Sequence, residues 1–344
     1  MLLSWTRLAG ATALIVAIGT SAQAQTPEAE AAFFKGKTVR MTVGYGPGGG
    51  YDVYARMIGP HISKHLGANI IVENQPGAGG VTALNATSVA PPDGLHTMIV
   101  NGAGAALSQI MNSPGVRYDL AKLGHLGTVS ASPWVWLVAP NSPIKTPQDA
   151  LAMNREIMWS ATGPIDGLAD GAAFTCEALK MKCKVVMGYG GSNEAMLAME
   201  RGEIDGHSTS WEAYKSAHPD WIKDKKINVV VQYGLNRHPD LPDVPTCVEI
   251  AKTDEQKQIL GAVVNATEIG KAILASPGIP VERVEALRKA FMDMTRDGEF
   301  ISELEKMRVE LTPMSGAKLQ ELVQEVGNLT PELVQKIKAV YGTN

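Results

Sequence analysis

The chain has 344 residues, of which 31 are Lys or Arg and 35 are Asp or Glu, for a formal net charge of −4. This balance argues against nucleic acid or an anionic membrane surface as a partner. The three cysteines form no C-x-x-C pair, so neither cysteine redox chemistry nor a cysteine metal site is expected. No cofactor is expected.

The first 24 residues have the pattern of a secretory signal peptide. Arg7 precedes the apolar run Leu8–Gly19, and Ala22-Gln23-Ala24 offers a small-residue cleavage site. The apolar run is shorter than the roughly 20 residues that span a bilayer. We therefore expect export with cleavage near Ala24, rather than an uncleaved anchor, and a remaining chain long enough for two domains.

After this leader, short β-like runs alternate with helical patterns almost to the end of the chain. Strands are predicted at Thr38–Val43, Asn69–Glu73, Thr97–Asn101, Trp134–Ala139, Ile157–Ser160, Lys184–Gly188, Ile204–Gly206 and Asn228–Gln232. Helices are predicted at Asp52–Leu66, Val81–Val89, Pro147–Asn154, Leu168–Lys180, Asn193–Arg201, Trp211–Lys225, Val281–Thr295 and Ala317–Val340. The alternation favours an α/β fold with a largely parallel sheet.

Two segments are candidate hinges, Ala139–Pro143 and Tyr233-Gly234. Two crossings of this kind predict a second domain inserted into the first. We expect lobe 1 to comprise residues 25–139 and 233–344, and lobe 2 to comprise residues 140–232. In an oxidising compartment Cys176 and Cys183 either form a disulfide or remain two buried thiols, and Cys247 is expected to be buried and inert.

The segment from Tyr45 to Asp52 contains a glycine-rich loop directly behind a predicted strand. Glycines let the backbone approach a ligand closely, and the N–H groups at the start of the next helix attract anions. Gly44-x-Gly46-x-x-Gly49 formally fits a dinucleotide fingerprint, but Pro47 lies inside it and Asp52 would repel a pyrophosphate. We therefore interpret this loop as a cradle for another anion.

Five further loops follow predicted strands, at residues 74–80, 101–104, 160–163, 189–192 and 206–210. At the carboxyl ends of parallel strands such loops gather on one edge, where α/β sheets bind ligands. None of the six loops carries Lys or Arg, so we expect backbone N–H groups, hydroxyls and water to hold the ligand. The candidate ligand-binding residues are Tyr45, Gly48, Gly49, Gly50, Tyr51, Asp52, Asn101, Ser160, Thr162, Gly163, Tyr189 and Ser208.

Three local patterns leave alternatives open. Asp52 either caps the helix or binds a ligand amine or hydroxyl. Gly206–Ser210 nearly matches the nucleophile elbow G-x-S-x-G, with Ser208 as the nucleophile of an exported hydrolase. His61 and His65 have a spacing that can bind metal, but no third ligand is identifiable, so no metal site is expected.

Taken together, the motifs resemble those of the receptors of tripartite tricarboxylate transporters, the Bug family. The resemblance covers nearly the whole chain after the leader. Its segments are Tyr45-x-x-Gly48-Gly49-x-x-Asp52 with Arg56, Glu73–Gly80, Pro92-Asp93-Gly94, Tyr189–Ser192, Arg201–Gly206, Pro242–Thr246 and Pro277–Pro280.

The resemblance implies a type II periplasmic-binding-protein fold of two α/β lobes with a ligand cleft between them. It also implies that the loops at Tyr45–Asp52 and Ser160–Gly163 grip a carboxylate, partly through water. Gln75, Gly44 and Tyr51 depart from the family pattern, and the ring of Tyr51 is expected to fill or floor the cleft.

We therefore expect a non-enzymatic, monomeric periplasmic receptor for a small organic carboxylate, which delivers the acid to the membrane permease subunits of a tripartite transporter. The alternatives are an exported serine hydrolase that uses Ser208 and a periplasmic ligand sensor that reports to a signalling partner.

Overall fold

A computed structural model describes residues 27–48, 50–160, 171, 174–176, 178–189, 192–224, 226–307, 309 and 311–340. The predicted signal peptide and the candidate residues Gly49, Thr162 and Gly163 lie outside the described residues. No helix in the described ranges combines the length and the apolar composition needed to cross a membrane.

The described strands belong to three sheets. Their bounds are β1 Thr38–Val43, β2 Asn69–Asn74, β3 His96–Asn101, β4 Gly124–Thr128, β5 Trp134–Val138, β6 Ile157–Ser160, β7 Cys183–Val186, β8 His207–Ser210, β9 Asn228–Tyr233, β10 Lys271–Ala275 and β11 Met314–Ser315. The main sheet has six strands in the order β11-β4-β10-β3-β1-β2, a second sheet has the order β8-β5-β9, and β6 pairs with β7.

The helices flank these sheets. Their bounds are α1 Pro27–Phe34, α2 Gly50–Leu66, α3 Val81–Ser88, α4 Gly102–Ile110, α5 Pro147–Leu151, α6 Ser192–Glu200, α7 Trp211–Ala217, α8 Pro219–Lys223, α9 Asp254–Glu268, α10 Val281–Met294, α11 Gly298–Met307, α12 Gly316–Gly327 and α13 Pro331–Val340. Pro60 lies inside α2 without ending it.

Helices cover both faces of the main sheet. Successive side chains of a strand point to opposite faces of the sheet, and the central strands carry apolar residues on both. Ile99 of β3 and Ile273 of β10 are buried in one cluster with residues of α2, α10 and α11. Their neighbours Met98 and Leu274 are buried in the other cluster, with residues of α3, α4, α9 and α12. The result is the layered α/β arrangement that a two-lobe type II fold requires.

The expectation of a largely parallel sheet is wrong, because five of the eight strand pairs in the described part of the chain are antiparallel. β1 is parallel to both β2 and β3, as the βαβ pattern predicts, but β10 lies antiparallel between β3 and β4. The sequence pattern missed β4, β10 and β11. β4 is Gly-His-Leu-Gly-Thr, and two glycines in five residues give it little β propensity.

Two helical predictions and one strand prediction also differ in detail. The strand predicted at Ile204–Gly206 lies at His207–Ser210. The long predicted helices Trp211–Lys225 and Ala317–Val340 are each split in two, before Pro219 and before Pro331. Proline is tolerated in the first turn of a helix and disfavours helical backbone at the residue before it, which explains both breaks.

The predicted lobe boundaries stay predictions, and the strand pairing bears on one of them. β5 pairs with β8 and β9 rather than with the six-stranded sheet. This pairing favours a boundary between Thr128 and Trp134, earlier than the expected boundary after Ala139.

The three cysteines occupy two environments. Cys176 and Cys183, whose pairing the sequence left open, are joined by a disulfide between the helical residues before β7 and β7 itself. Cys247 is fully buried, and burial raises the pKa of its thiol to about 12. The thiol of Cys247 is therefore protonated and unreactive at neutral pH.

The core of the main sheet should be sensitive to a single methyl group at Gly127 of β4. This glycine has a φ of +154°, and a Cβ there would overlap the ring of Phe291. We expect Gly127→Ala to lower the free energy of unfolding by about 1–3 kcal/mol, as overpacking does. Chemical denaturation measures this change.

Gly261→Ala is the matched control, because Gly261 lies in α9 with open space around its Cβ position. We expect it to leave stability unchanged or to raise it by up to about 1 kcal/mol. Equal stabilities for the two variants would contradict the packing argument.

Candidate functional site

A cavity of about 220 Å³ lies where the main sheet meets the three-stranded sheet. It is lined by Gly50, Tyr51, Asn101, Ala103, Ser130, Ser132, Trp134, Thr209, Ser210, Thr267, Gly270 and Lys271. Register explains why these residues meet. β1 and β3 end at this edge of the main sheet, and Lys271, the first residue of the antiparallel β10, lies opposite Asn101 at the end of β3.

Asn101 lies at the point where β3 ends and α4 begins. Its side-chain oxygen accepts a hydrogen bond from the backbone N–H of Gly104 at 3.3 Å and so caps α4. The N–H of Gly102 donates to the carbonyl of Gly270 at 2.9 Å, and a Cβ on Gly102 would overlap the side chain of Ile269. Glycine is therefore required for the close approach that brings Asn101 beside Lys271.

Asp52 holds the first glycine loop in shape. Its Oδ2 accepts from the backbone N–H of Gly48 at 2.8 Å, and both of its oxygens accept from Nε of Arg56 at 3.0 Å. The Oδ1 atom also accepts from the side chain of Asn74 at 2.9 Å. The Arg56 hydrogen bond, followed by the Gly48 hydrogen bond, lowers the pKa of Asp52 to about 2.

These contacts favour a structural role for Asp52 over ligand binding, although Asp52 lies in the first turn of α2 rather than at its N-cap. The carboxylate is buried and is bonded to groups of its own loop, of α2 and of β2. Sequence reasoning identified Arg56 and Asn74 only as family motif positions, and the structure assigns them to this network.

Tyr51 lines the cavity with Tyr45 stacked behind it. The two rings lie 4.9 Å apart at an angle of 18°, and the Tyr45 hydroxyl donates to the carbonyl of Gly79 at 3.0 Å. Burial, together with the neighbouring Tyr45 and Glu212, raises the pKa of Tyr51 well above its usual value. Tyr51 therefore presents a neutral aromatic wall held in place by the second glycine loop.

One cationic side chain, that of Lys271, lines the cavity from outside the six loops. Lys271 reaches it from β10, a strand that the sequence pattern missed. Its Nζ lies 2.8 Å from Oε2 of Glu212 and 4.7 Å from the centre of the Tyr54 ring. The six loops contain no Lys or Arg, as expected, but the cation comes from outside them.

The described candidate residues of the predicted lobe 2 do not line this cavity. Ser160 is fully buried, with its hydroxyl 2.8 Å from Nδ1 of His207. Ser208 is also fully buried, inside β8 and opposite Trp136, and its hydroxyl has no hydrogen-bond partner among the described residues. Tyr189 is half-buried and packs on the cluster around Met199. The next residues of β8, Thr209 and Ser210, line the cavity instead.

His61 and His65 are bound to acids near the C-terminal helices rather than to each other. His61 Nε2 lies 2.9 Å from Glu303, and His65 Nε2 lies 2.9 Å from Asp297. No group of three or more His, Cys, Asp or Glu suited to a metal ion occurs in the part of the chain that the structure describes.

Nine lining residues were not among the candidates from the sequence: Ala103, Ser130, Ser132, Trp134, Thr209, Ser210, Thr267, Gly270 and Lys271. Three of these nine, Ala103, Thr209 and Ser210, lie in the predicted loops 101–104 and 206–210. The Ser-x-Ser segment between β4 and β5 could have indicated a loop with hydroxyl groups at the site. It was not recognised as a loop after a strand, because β4 itself was not identified. Of the twelve candidates that were identified, Gly50, Tyr51 and Asn101 line the cavity. Tyr45, Gly48 and Asp52 lie behind Tyr51 in the first loop or beside it.

Comparisons with known proteins agree on a family. The family model "Tripartite tricarboxylate transporter family receptor" matches residues 54–339. The chain is similar to the "UPF0065 protein in gbd 5'region" of Cupriavidus necator, at 27% identity over 96% of this chain and 94% of that protein.

Solved structures share the fold at lower identity. A solute-binding protein of this family from Polaromonas has a TM-score of 0.68 at 18% identity, covering 90% of this chain and 99% of that one. MatC from Rhodopseudomonas palustris, solved with bound malate, has a TM-score of 0.62 at 21% identity over 89% and 99%. An R. palustris protein solved with adipate has a TM-score of 0.62 at 19% identity over 89% and 97%.

The network around Asp52 predicts a pH dependence of stability. Because the folded protein lowers the pKa of Asp52 to about 2, the charged carboxylate stabilises the fold above about pH 4. We expect the stability advantage of the wild type over Asp52→Asn to shrink as the pH falls from about 4 to about 2. Urea unfolding at several pH values measures this difference.

Asp254→Asn, the same substitution at the exposed start of α9, is the matched control. An advantage of the wild type over Asp52→Asn that stays constant down to pH 2 would contradict the assigned network.

Proposed function

Because the chain belongs to the tripartite tricarboxylate transporter receptor family, we propose that it captures a small organic carboxylate in the cavity beside Asn101 and Lys271. The receptor then delivers the acid to the membrane permease subunits of a tripartite transporter. The observation that carries this proposal is the chemistry of the cavity wall, where hydroxyls, two helix N-termini and one ammonium surround a small open volume.

Each of these groups favours an anion. α2 begins at Gly50 and α4 begins at Gly102, so the N-terminal ends of both helices, with their partial positive charge, lie at the cavity wall that Gly50, Tyr51, Asn101 and Ala103 line. Lys271 adds a full positive charge on the same wall. Helix N-termini and ammonium groups both bind carboxylates, and Ser132 and Ser210 supply hydroxyl donors around them.

The structural neighbours support the class of ligand. One was solved with malate and another with adipate, which are dicarboxylates of different length. In this chain the aromatic rings of Tyr51 and Trp134 line the cavity. We propose that these rings contact the carbon skeleton of the acid, while the polar groups bind its carboxylate oxygens.

Eleven of the twelve sequence-predicted residues divide into four groups under this proposal, and the twelfth, Tyr189, packs on the cluster around Met199. Gly50, Tyr51 and Asn101 contact the ligand, and Tyr45, Gly48 and Asp52 shape the first loop behind them. Gly49, Thr162 and Gly163 remain predicted contacts, whereas the burial of Ser160 and Ser208 favours a structural role for both.

Binding should shift an equilibrium between open and closed lobes. The cavity is lined by Asn101 and Lys271 of the main sheet and by Trp134 and Thr209 of the three-stranded sheet. A ligand that contacts both sheets favours the closed arrangement by the contacts that exist only there.

The enzyme alternative has little geometric support. A nucleophile elbow exposes its serine on a sharp turn between strand and helix. Ser208 is fully buried inside β8. Turnover of an ester panel that disappears in Ser208→Ala would nevertheless decide for the hydrolase. The sensor alternative uses the same cavity and differs only in the partner protein that binds the closed receptor.

A thermal-shift screen tests the proposed ligand class. We expect one acid of a panel containing acetate, malate, adipate and benzoate to raise the melting temperature of the protein. At about 100 times its Kd, a ligand adds about 2.7 kcal/mol to the free energy of unfolding. A panel without any response, in protein that unfolds cooperatively, would contradict carboxylate capture.

Asn101→Asp places a negative charge in the cavity while keeping a helix cap, because Asp and Asn cap helices about equally well. We expect this variant to keep its thermal stability and to bind the most stabilising acid of the panel at least tenfold more weakly, since like charges at close range repel. Isothermal titration calorimetry measures the affinity.

Asn69→Asp makes the same substitution at the exposed start of β2, away from the cavity, and should leave the affinity unchanged. Wild-type affinity in Asn101→Asp would contradict the assignment of this cavity.

A further inference from the structure

The ammonium of Lys271 is held in a fixed position on the cavity wall. The backbone N–H of Lys271 donates to the carbonyl of Ser130 at 2.8 Å, and its own carbonyl accepts from the N–H of Val129 at 3.0 Å. The preceding Gly270 has a φ of +62°, and a Cβ there would overlap the carbonyl oxygen of Ser130. The tight turn therefore fixes the start of β10 against the segment that follows β4.

Glu212 lies behind Lys271 rather than on the cavity wall. Its Oε2 accepts from Lys271 at 2.8 Å and from the Ser130 hydroxyl at 3.2 Å, and its backbone N–H donates to the Ser132 hydroxyl at 3.1 Å. The side chain of Glu212 is 6% exposed and that of Lys271 is 15% exposed. Lys271 lines the cavity and Glu212 does not.

This ion pair joins the two sheets. Lys271 begins β10 of the main sheet, whereas Glu212 follows β8 of the three-stranded sheet. An ammonium has three N–H donors, and the described contacts give one of them to Glu212. The donors on the cavity side can therefore bind a second oxygen anion without breaking the pair.

We propose that Lys271 determines the specificity of this receptor for a carboxylate group, and that Glu212, bonded to the Lys271 ammonium from behind the cavity wall, reduces the affinity for that group. The inference rests on the proposed function and names the group that recognises the carboxylate, the Lys271 ammonium. Glu212 offsets the charge of Lys271, so the cavity favours an anion only moderately and the bound acid can be released.

The test pairs each acid of the panel with its neutral amide: acetamide, malamide, adipamide and benzamide. The acid that binds the wild type most tightly and its amide are titrated by calorimetry into the wild type and into Lys271→Gln. Because a charge-assisted hydrogen bond is lost, we expect the acid to bind Lys271→Gln about 10- to 100-fold more weakly. The amide should bind both proteins within about twofold.

The two ligands separate recognition from structure. If Lys271 only held the fold together, the affinities of acid and amide would fall by the same factor, which would overturn the proposal. Lys318→Gln, which removes a lysine from an exposed pair with Glu321, should leave both affinities unchanged.

Glu212→Gln is a second variant, for which we expect a change in the affinity for the acid opposite to that of Lys271→Gln. Removing this carboxylate reduces the repulsion of a bound anion, so we expect the acid to bind several-fold more tightly while the affinity for the amide stays the same. Weaker acid binding in Glu212→Gln at unchanged amide affinity would show that the Lys271 ammonium needs Glu212 for its position, and would overturn the charge-offset role.

The outcomes also separate this inference from the proposed function. A wild-type protein that binds no acid of the panel contradicts carboxylate capture and the inference together. A wild-type protein that binds an acid which Lys271→Gln binds equally well contradicts the inference alone.

Discussion

The cavity depends on one close approach between backbones, where Gly102 at the start of α4 meets Ile269 and Gly270 at the turn before β10. The Gly102 N–H donates to the carbonyl of Gly270, and neither glycine has space for a Cβ. Through this contact, residues that lie far apart in the chain form one wall. The glycines matter here because they allow backbones to touch, and not because the loops must be mobile.

The carboxylates around the cavity are paired with cationic side chains of the protein itself. Asp52 is bonded to Arg56 and to the Gly48 N–H, and Glu212 is bonded to Lys271. An unpaired carboxylate beside the cavity would repel an acid, whereas both of these carboxylates have cationic partners. The same compensation limits the attraction that Lys271 exerts on an anion.

Much of lobe 1 could be predicted, because β1, β2 and β3 are successive parallel strands joined by helices and their glycine loops follow in chain order. The position of β10 could not, because its insertion between β3 and β4 depends on a pairing between segments more than 140 residues apart. Lys271 was missed for that reason. In lobe 2 the sequence placed the strand at Ile204–Gly206 instead of His207–Ser210, and Thr209 and Ser210 rather than Ser208 line the cavity. Ser208 is fully buried opposite Trp136, in a pairing with β5 that the local sequence of β8 does not show.

The place of β10 in the main sheet has a consequence for how the molecule assembles. β10 pairs with both β3 and β4, so no N-terminal fragment that ends before residue 271 contains a continuous six-stranded sheet. Pairings between distant segments slow folding, because the chain loses entropy in closing the long loop before the contacts form. During synthesis β3 and β4 must therefore remain incompletely paired until most of the chain has been made. A pathway that transports an unfolded chain across a membrane would meet a molecule whose own topology keeps it from folding early.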